Sequence, residues 1–227
     1  ARTLFNGAAM AQAAKDAGAS TRYSASDAAD ALNYLALAGY DANKSIEVMP
    51  KVLDLAAAGG LDLAYASDLV TDSMSALGLG TNDLDKFMDQ MAKTSQKSNT
   101  SVQQLGEAIL VCAGTASMTG QDLNNINTAL GVMADNGIKG AEGGTHLRNV
   151  LLALSSPTDK GAKQLKAHGV EVFDAKGNMK QLDVVLADLE KSMANMSQEE
   201  KTAAIKNIFL PKSLLPVLYP HFYSQIH

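Results

Sequence analysis

Tryptophan is absent, aromatic residues make up only 5% of the 227 residues, and there is one cysteine. A single cysteine excludes an intrachain disulfide framework. It lies in the apolar run Ala108-Ile109-Leu110-Val111-Cys112-Ala113, where a thiol reads as a small buried hydrophobe. The scarcity of aromatics leaves alanine, the commonest residue, and 10 methionines to fill much of the core. Such packing suits helices that approach closely, because alanine forms helix at no cost in side-chain entropy.

An excess of positive charge is also missing. The net charge is −5, from 19 basic and 24 acidic residues, whereas a duplex-binding surface needs basic residues to displace counterions from phosphate. The lysines from Lys160 to Lys166 have no aromatic among them and read as a solvated helix face. Specific nucleic-acid binding is not expected. No apolar run reaches the ~20 residues of a bilayer span, and the first residues lack the apolar centre of a signal peptide. The chain starts Ala1-Arg2-Thr3-Leu4 without methionine, and the expectation is a fragment or processed form of something longer.

What is present is helical periodicity. Apolar spacing and stop signals predict a first helix ending at Gly18, a second from Ala28 to Ala38 capped by Ser26-Asp27, and a third from Ala42 or Asn43 to Ala58 with Pro50 as a kink or early boundary. Leu61 to Leu77 follows, then helices capped at Thr81 or Asn82 and at Ser101, and another from Thr119 to Ala134. Asn136 to Gly144 holds four glycines and reads as a loop before a helix from Thr145 to Leu154. A short helix over Thr158 to Ala167 ends at Gly169. Val170-Glu171-Val172-Phe173 alternates like a strand, turns at Asp174-Ala175-Lys176-Gly177, and returns through Asn178-Met179-Lys180 as a small β-hairpin near 170–180. Leu182 to Met196 and Glu199 to Phe209 close the series, the last behind a capping box of Ser197 and Glu200.

Ala31-Leu32, Ala36, Gly39 and Val52-Leu53 recur 98 residues later as Ala129-Leu130, Ala134, Gly137 and Val150-Leu151. Two readings stand: chance recurrence in a chain rich in Ala, Leu and Gly, or a duplicated helical hairpin with pseudo-repeats near 5–98 and 101–167. The expected fold is mainly α, a multi-helix bundle over 1–209 with two pseudo-repeated helical hairpins and the one β-hairpin. Residues 210–227 carry Pro211, Pro216 and Pro220 and read as a separate C-terminal arm.

No constellation for chemistry emerges. His146, His168, His221 and His227 are scattered without Cys or His at ligand spacing, and His146 reads as a polar surface or capping residue. The stretch Gly137 to Thr145 lacks the lysine that precedes Thr in a P-loop and follows a helix. Its glycines read as sources of positive φ and of close helix approach. Asp174 to Asn178 has a lysine where a calcium ligand is wanted, and a turn explains it better. There is no Gly-x-Ser-x-Gly elbow, and no carboxylate pair stands out for glycoside hydrolysis. Met88, Met91, Met193 and Met196 sit at helical spacing as core or partner-facing residues. Catalytic, metal and cofactor sites are therefore expected to be none.

Ala31-Leu32-Asn33-Tyr34-Leu35-Ala36-Leu37-Ala38-Gly39, Met49-Pro50-Lys51-Val52-Leu53-Asp54-Leu55-Ala56-Ala57-Ala58-Gly59 and Asp62 to Asp68 together resemble the conserved core region of phage tail tape measure proteins. Gly137-Ile138-Lys139-Gly140, followed by Gly143, Gly144, Thr145 and Leu147-Arg148, is similar to a Gly-rich stretch of that family, as is Leu165 to Val172 with Asp174 and Gly177. The resemblance covers roughly residues 5–209 and stops at Leu210.

It implies a non-enzymatic structural role in tail assembly, tail-length determination and DNA ejection. The implied location is the virion tail, after a cytoplasmic stage in the host. Implied partners are the tail tube, tail-assembly chaperones and tail tip, with homo-oligomerisation, and the host membrane only through the parent protein. Gly137, Lys139, Gly140, Gly143, Gly144, Thr145 and Arg148 are the expected structural motif, with Lys139, Thr145 and Arg148 holding the loop against its neighbours. A membrane-active or chaperone-bound helical module and a cell-wall hydrolase domain are the alternatives.

Overall fold

The computed structural model describes residues 2–209, with side chains from residue 7 onward; the C-terminal arm expected at 210–227 lies outside the described residues. The described chain is mainly helical, with eleven α-helices: α1 (Arg2–Ser20), α2 (Ala25–Leu37), α3 (Ala42–Gly59), α4 (Leu63–Leu77), α5 (Leu84–Lys97), α6 (Val102–Met118), α7 (Leu123–Asp135), α8 (Gly140–Ser155), α9 (Asp159–Ala167), α10 (Leu182–Ser192) and α11 (Gln198–Ile208). They fall into two compact units, Ala1–Ala92 and Lys93–His227, divided within α5.

Short polar side chains set most helix starts. Asp41, Asp62, Ser101, Asp122, Thr158 and Ser197 each accept a backbone N–H from the first turn they cap, satisfying donors that a helix leaves without partners. At α2 the cap is Ser24 and not Ser26-Asp27. Asp27 is the third helical residue and returns a bond to the Ser24 N–H at 2.8 Å, completing a capping box. A 3-10 turn, Thr81–Asp83, precedes α5 where a cap was expected. Gly60 and Gly78 end α3 and α4 in the left-handed conformation that a side chain would disfavour.

In the first unit α1 lies chiefly along α2, and α2 also packs on α3 and α4. Pro50 neither breaks nor bounds α3, which runs on to Gly59. Proline removes one helical hydrogen bond, and the fully buried Met49, Val52, Leu53 and Ala56 around it supply the apolar burial that offsets this. Phe87 and Met91 of α5 are buried, and Lys51 of α3 pairs with Asp85 at 2.6 Å.

The second unit centres on α6 and α8, whose contact is its most extensive. α7 packs on both, and α9 packs on α11. The supposed loop at 136–144 is far shorter: Asn136 ends α7, and α8 begins at Gly140 and runs to Ser155. α10 stops at Ser192, four residues before its expected end at Met196.

The two pseudo-repeated hairpins are not a feature of the packing. α2 and α7 share a length of 13 residues, but α1 lies mainly on α2, whereas α6 lies mainly on α8. Gly144 allows the second arrangement. The residue 98 positions earlier is Ile46, too bulky for the close backbone approach that a glycine permits.

The expected β-hairpin is also reduced. No strand forms among the described residues; one isolated antiparallel bridge joins Phe173 and Met179. Asp174 closes the turn instead, accepting the N–H groups of Lys176 at 2.8 Å and Asn178 at 2.9 Å. Those bonds, the Asn178 N–H foremost, hold its carboxyl below the usual range. Phe173 remains 42% exposed, so no layer covers that side, and a ribbon this short is marginal on its own.

Cys112 is fully buried and free. Loss of solvent pushes its thiol up to about 12. At pH 8 it should hold on the order of 1,000-fold less thiolate than a free cysteine of pKa ~8.5. A disulfide-exchange reagent is therefore expected to be silent on the folded chain and rapid in urea. Fast reaction without urea would show that α6 opens locally.

Candidate functional site

The family-like residues gather where α8 crosses α6. Gly137, in the turn after α7, has φ +87, and Gly140, the first residue of α8, has φ +58. Both lie in the region that glycine enters without strain. Gly143 and Gly144 do not; they are ordinary helical residues, and their small size is what matters. A Cβ on Gly143 would come 3.2 Å from the Ile138 carbonyl oxygen. One on Gly144 would overlap the Ala108 carbonyl of α6, a backbone group that cannot rotate away.

Glu107 of α6 reaches the start of α8. A Cβ at Gly140 would stand 2.8 Å from its Oε2, while its Oε1 accepts from Gln103 Nε2 at 3.2 Å. Lys139 is the N-cap residue but makes no side-chain cap, so the glutamate places negative charge near the exposed N–H groups of α8. Thr145 Oγ1 donates to the Ala141 carbonyl within its own helix at 2.8 Å. Arg148 is half-buried. The recorded bond of Thr145 thus stays inside α8, and the crossing itself rests on Gly144 and Ala108.

His146 is not a surface residue. It is 8% exposed, with Nε2 3.7 Å from Glu142 one turn earlier and Nδ1 without a partner. Its ring occupies a core position on α8 beside Leu147. Among the described residues no three His, Cys, Asp or Glu side chains gather as metal ligands.

The best-built polar feature has no sequence motif. Gln121 precedes the cap of α7, and Gln181 is the N-cap residue of α10. Gln121 is 7% exposed. Its Nε2 donates to the carbonyls of Thr119 and Lys180, both at 3.2 Å, and its Oε1 accepts the Leu182 N–H at 2.7 Å. Gln181 reciprocates: its Nε2 donates to the Gly120 carbonyl at 2.7 Å, and its Oε1 accepts the Asp122 N–H at 2.9 Å. Asn125 joins in, its Oδ1 accepting the Asp183 N–H at 3.2 Å. Two glutamines thus substitute for backbone partners across the α6–α7 turn and the start of α10. Only the position of each glutamine beside a helix start could have signalled this.

The arrangement binds helices to one another. The family model described as phage-related minor tail protein matches residues 11–209. A tape measure protein of Pneumococcus phage Dp-1 is 35% identical over 209 residues, which are 92% of this chain and 18% of that protein. A probable tape measure protein of Escherichia phage P2 is 28% identical over 204 residues, 89% of this chain and 25% of that one. The chain therefore spans a quarter or less of the length of these curated relatives. No solved structure matches it.

Proposed function

The chain belongs to the phage-related minor tail protein family, and we propose that it is a structural segment of a tape measure protein in a bacteriophage or prophage tail. In this reading it acts in tail assembly, tail-length determination and DNA ejection, without catalysis. The observation that carries the proposal is one of extent. The family match over 11–209 runs through both helical units to the end of the described helices at Ile208, so the shared part is a folded body. In this reading Gly137 and Gly140 fix the α7–α8 turn and Gly143 and Gly144 the close approach of α8 to its neighbours, with Lys139, Thr145 and Arg148 part of the same structural stretch.

Partners in this reading are other tail proteins: the tube, the assembly chaperones and the tail tip, together with further copies of the same polypeptide. The site of action is the virion tail, after synthesis in the bacterial cytoplasm. Any dealings with the host membrane fall to the parent protein. Among the described residues no helix is long and apolar enough to cross a bilayer.

Purified tails test this directly. Mass spectrometry of intact tails is expected to recover peptides from within residues 11–209, and immunogold with antibody against residues 1–209 should label tails internally or at one end. Tails without these peptides, alongside abundant protein in the lysate, would overturn the assignment to the virion.

A further inference from the structure

An asparagine followed by glycine is chemically labile, because glycine leaves its backbone nitrogen unshielded by a side chain. Two such pairs occur, Asn6-Gly7 and Asn136-Gly137. The second lies in the turn between α7 and α8, and both its residues are exposed. Loss of ammonia begins when the Gly137 nitrogen attacks Asn136 Cγ. A new C–N bond closes a five-membered succinimide, the Cγ–Nδ2 bond breaks, and ammonia leaves with the proton of the glycine N–H. Water then opens the ring at either carbonyl, giving aspartate or isoaspartate.

Exposure alone would permit this reaction, but the turn is built against it. The ring needs the Gly137 nitrogen beside the Asn136 Cβ. At ψ 11 that nitrogen nearly eclipses the backbone nitrogen of Asn136 instead. Its N–H donates to the Ala134 carbonyl at 3.0 Å, and the Ile138 N–H donates to the Met133 carbonyl at 2.9 Å. These are the paired bonds that close a helix at a left-handed glycine. The leaving group is tied as well, since Asn136 Nδ2 donates to the Val132 carbonyl at 2.8 Å. Rotating ψ into line for attack breaks both backbone bonds and pulls on Ile138, which is buried.

We propose that Asn136 is a latent modification site, shut by the folded α7–α8 turn and converted to aspartate or isoaspartate when that turn opens, with a product that resists reclosure. The inference goes beyond the tail reading and does not depend on it. Aspartate loses the donor to Val132 and sets a second negative charge beside Asp135, at the helix end where the dipole disfavours it. Isoaspartate routes the backbone through Cβ, so the paired bonds cannot re-form in register. Opening of the second unit is thereby recorded in a covalent bond.

The test holds the 227-residue chain at mildly alkaline pH, folded or in urea, and follows conversion at Asn136 by peptide mass mapping. Conversion should run at least about tenfold slower in the folded chain. Ile138→Ala removes the buried side chain that anchors the turn. It should speed folded-state conversion at least about threefold and leave the rate in urea unchanged. Asn136→Asp, the product itself, should lower the urea midpoint at which Cys112 becomes reactive. Equal wild-type rates with and without urea would overturn the proposal, whatever the variants do. A folded-state rate that Ile138→Ala leaves unchanged would overturn it too, as would an unmoved midpoint in Asn136→Asp. None of these outcomes bears on whether tails contain the protein.

Discussion

Gly144→Ala is expected to cost about 3 kcal/mol in the second unit, at the upper end of the usual penalty for overpacking. Two effects oppose each other. Alanine is the better helix former by about 1 kcal/mol, so at an unconstrained position in α8 the change would stabilise. Here the new methyl would overlap the Ala108 carbonyl. A flexible side chain could swing aside, but a carbonyl bonded into α6 moves only with its helix. Shifting α6 would disturb Cys112, Ala113 and Ala116, all fully buried, and a close-packed interior does not absorb such a shift freely. Gly143→Ala meets its nearest oxygen at 3.2 Å and should cost less, about 1 kcal/mol. Urea-dependent labelling of Cys112 reports on this unit alone, which matters because two units need not unfold in one step. A midpoint for Gly144→Ala equal to wild type, or above Gly143→Ala, would sink the crossing as described.

The same glycines show what sequence reading reaches and where it stops. Four of them between Asn136 and Gly144 read as a loop, because glycine is the residue of turns. Gly137 and Gly140 fit that role, with positive φ. Gly143 and Gly144 serve the opposite purpose, inside a helix, where absence of a side chain lets another backbone approach. The two uses look alike in one dimension and separate only when the neighbour, Ala108, is known. Helix boundaries were more legible. Ser101 and Ser197 announced their helices, because a cap acts within three residues. Helix α2 was expected to start three residues late, at Ala28 and not Ala25, since Ser26-Asp27 offers as good a capping pair on paper as Ser24 with Asp27. The recurrence at an offset of 98 is not a repeat of structure, although α2 and α7 happen to share a length. It does not reappear in the packing, because Ile46 stands where Gly144 would be needed. His146 was misplaced for a related reason: burial of a polar ring depends on the helices around it, not on residues beside it in the chain.

Gln121 and Gln181 were beyond such reading, being 60 residues apart and joined only by the fold, and they carry the other large expected effect. Gln121→Leu keeps the volume but removes this residue's two bonds to the start of α10, with the Lys180 carbonyl and the Leu182 N–H. The Leu182 N–H, in a residue 3% exposed, would lose the acceptor it holds at 2.7 Å. The Lys180 carbonyl would lose its donor. A buried polar group left without a partner costs about 1–3 kcal/mol, so a loss of about 2–3 kcal/mol is expected. Gln181→Ala acts at a half-buried position and should cost about 1 kcal/mol. The two glutamines span the same pair of segments, so once one is gone the other has less to hold. The double variant should therefore fall short of the sum by about 1 kcal/mol, and amide exchange should speed up first along Leu182–Ser192. Additive costs, or unchanged protection of α10, would mean that apolar burial of Leu182, Val185 and Leu189 holds this helix without the glutamines.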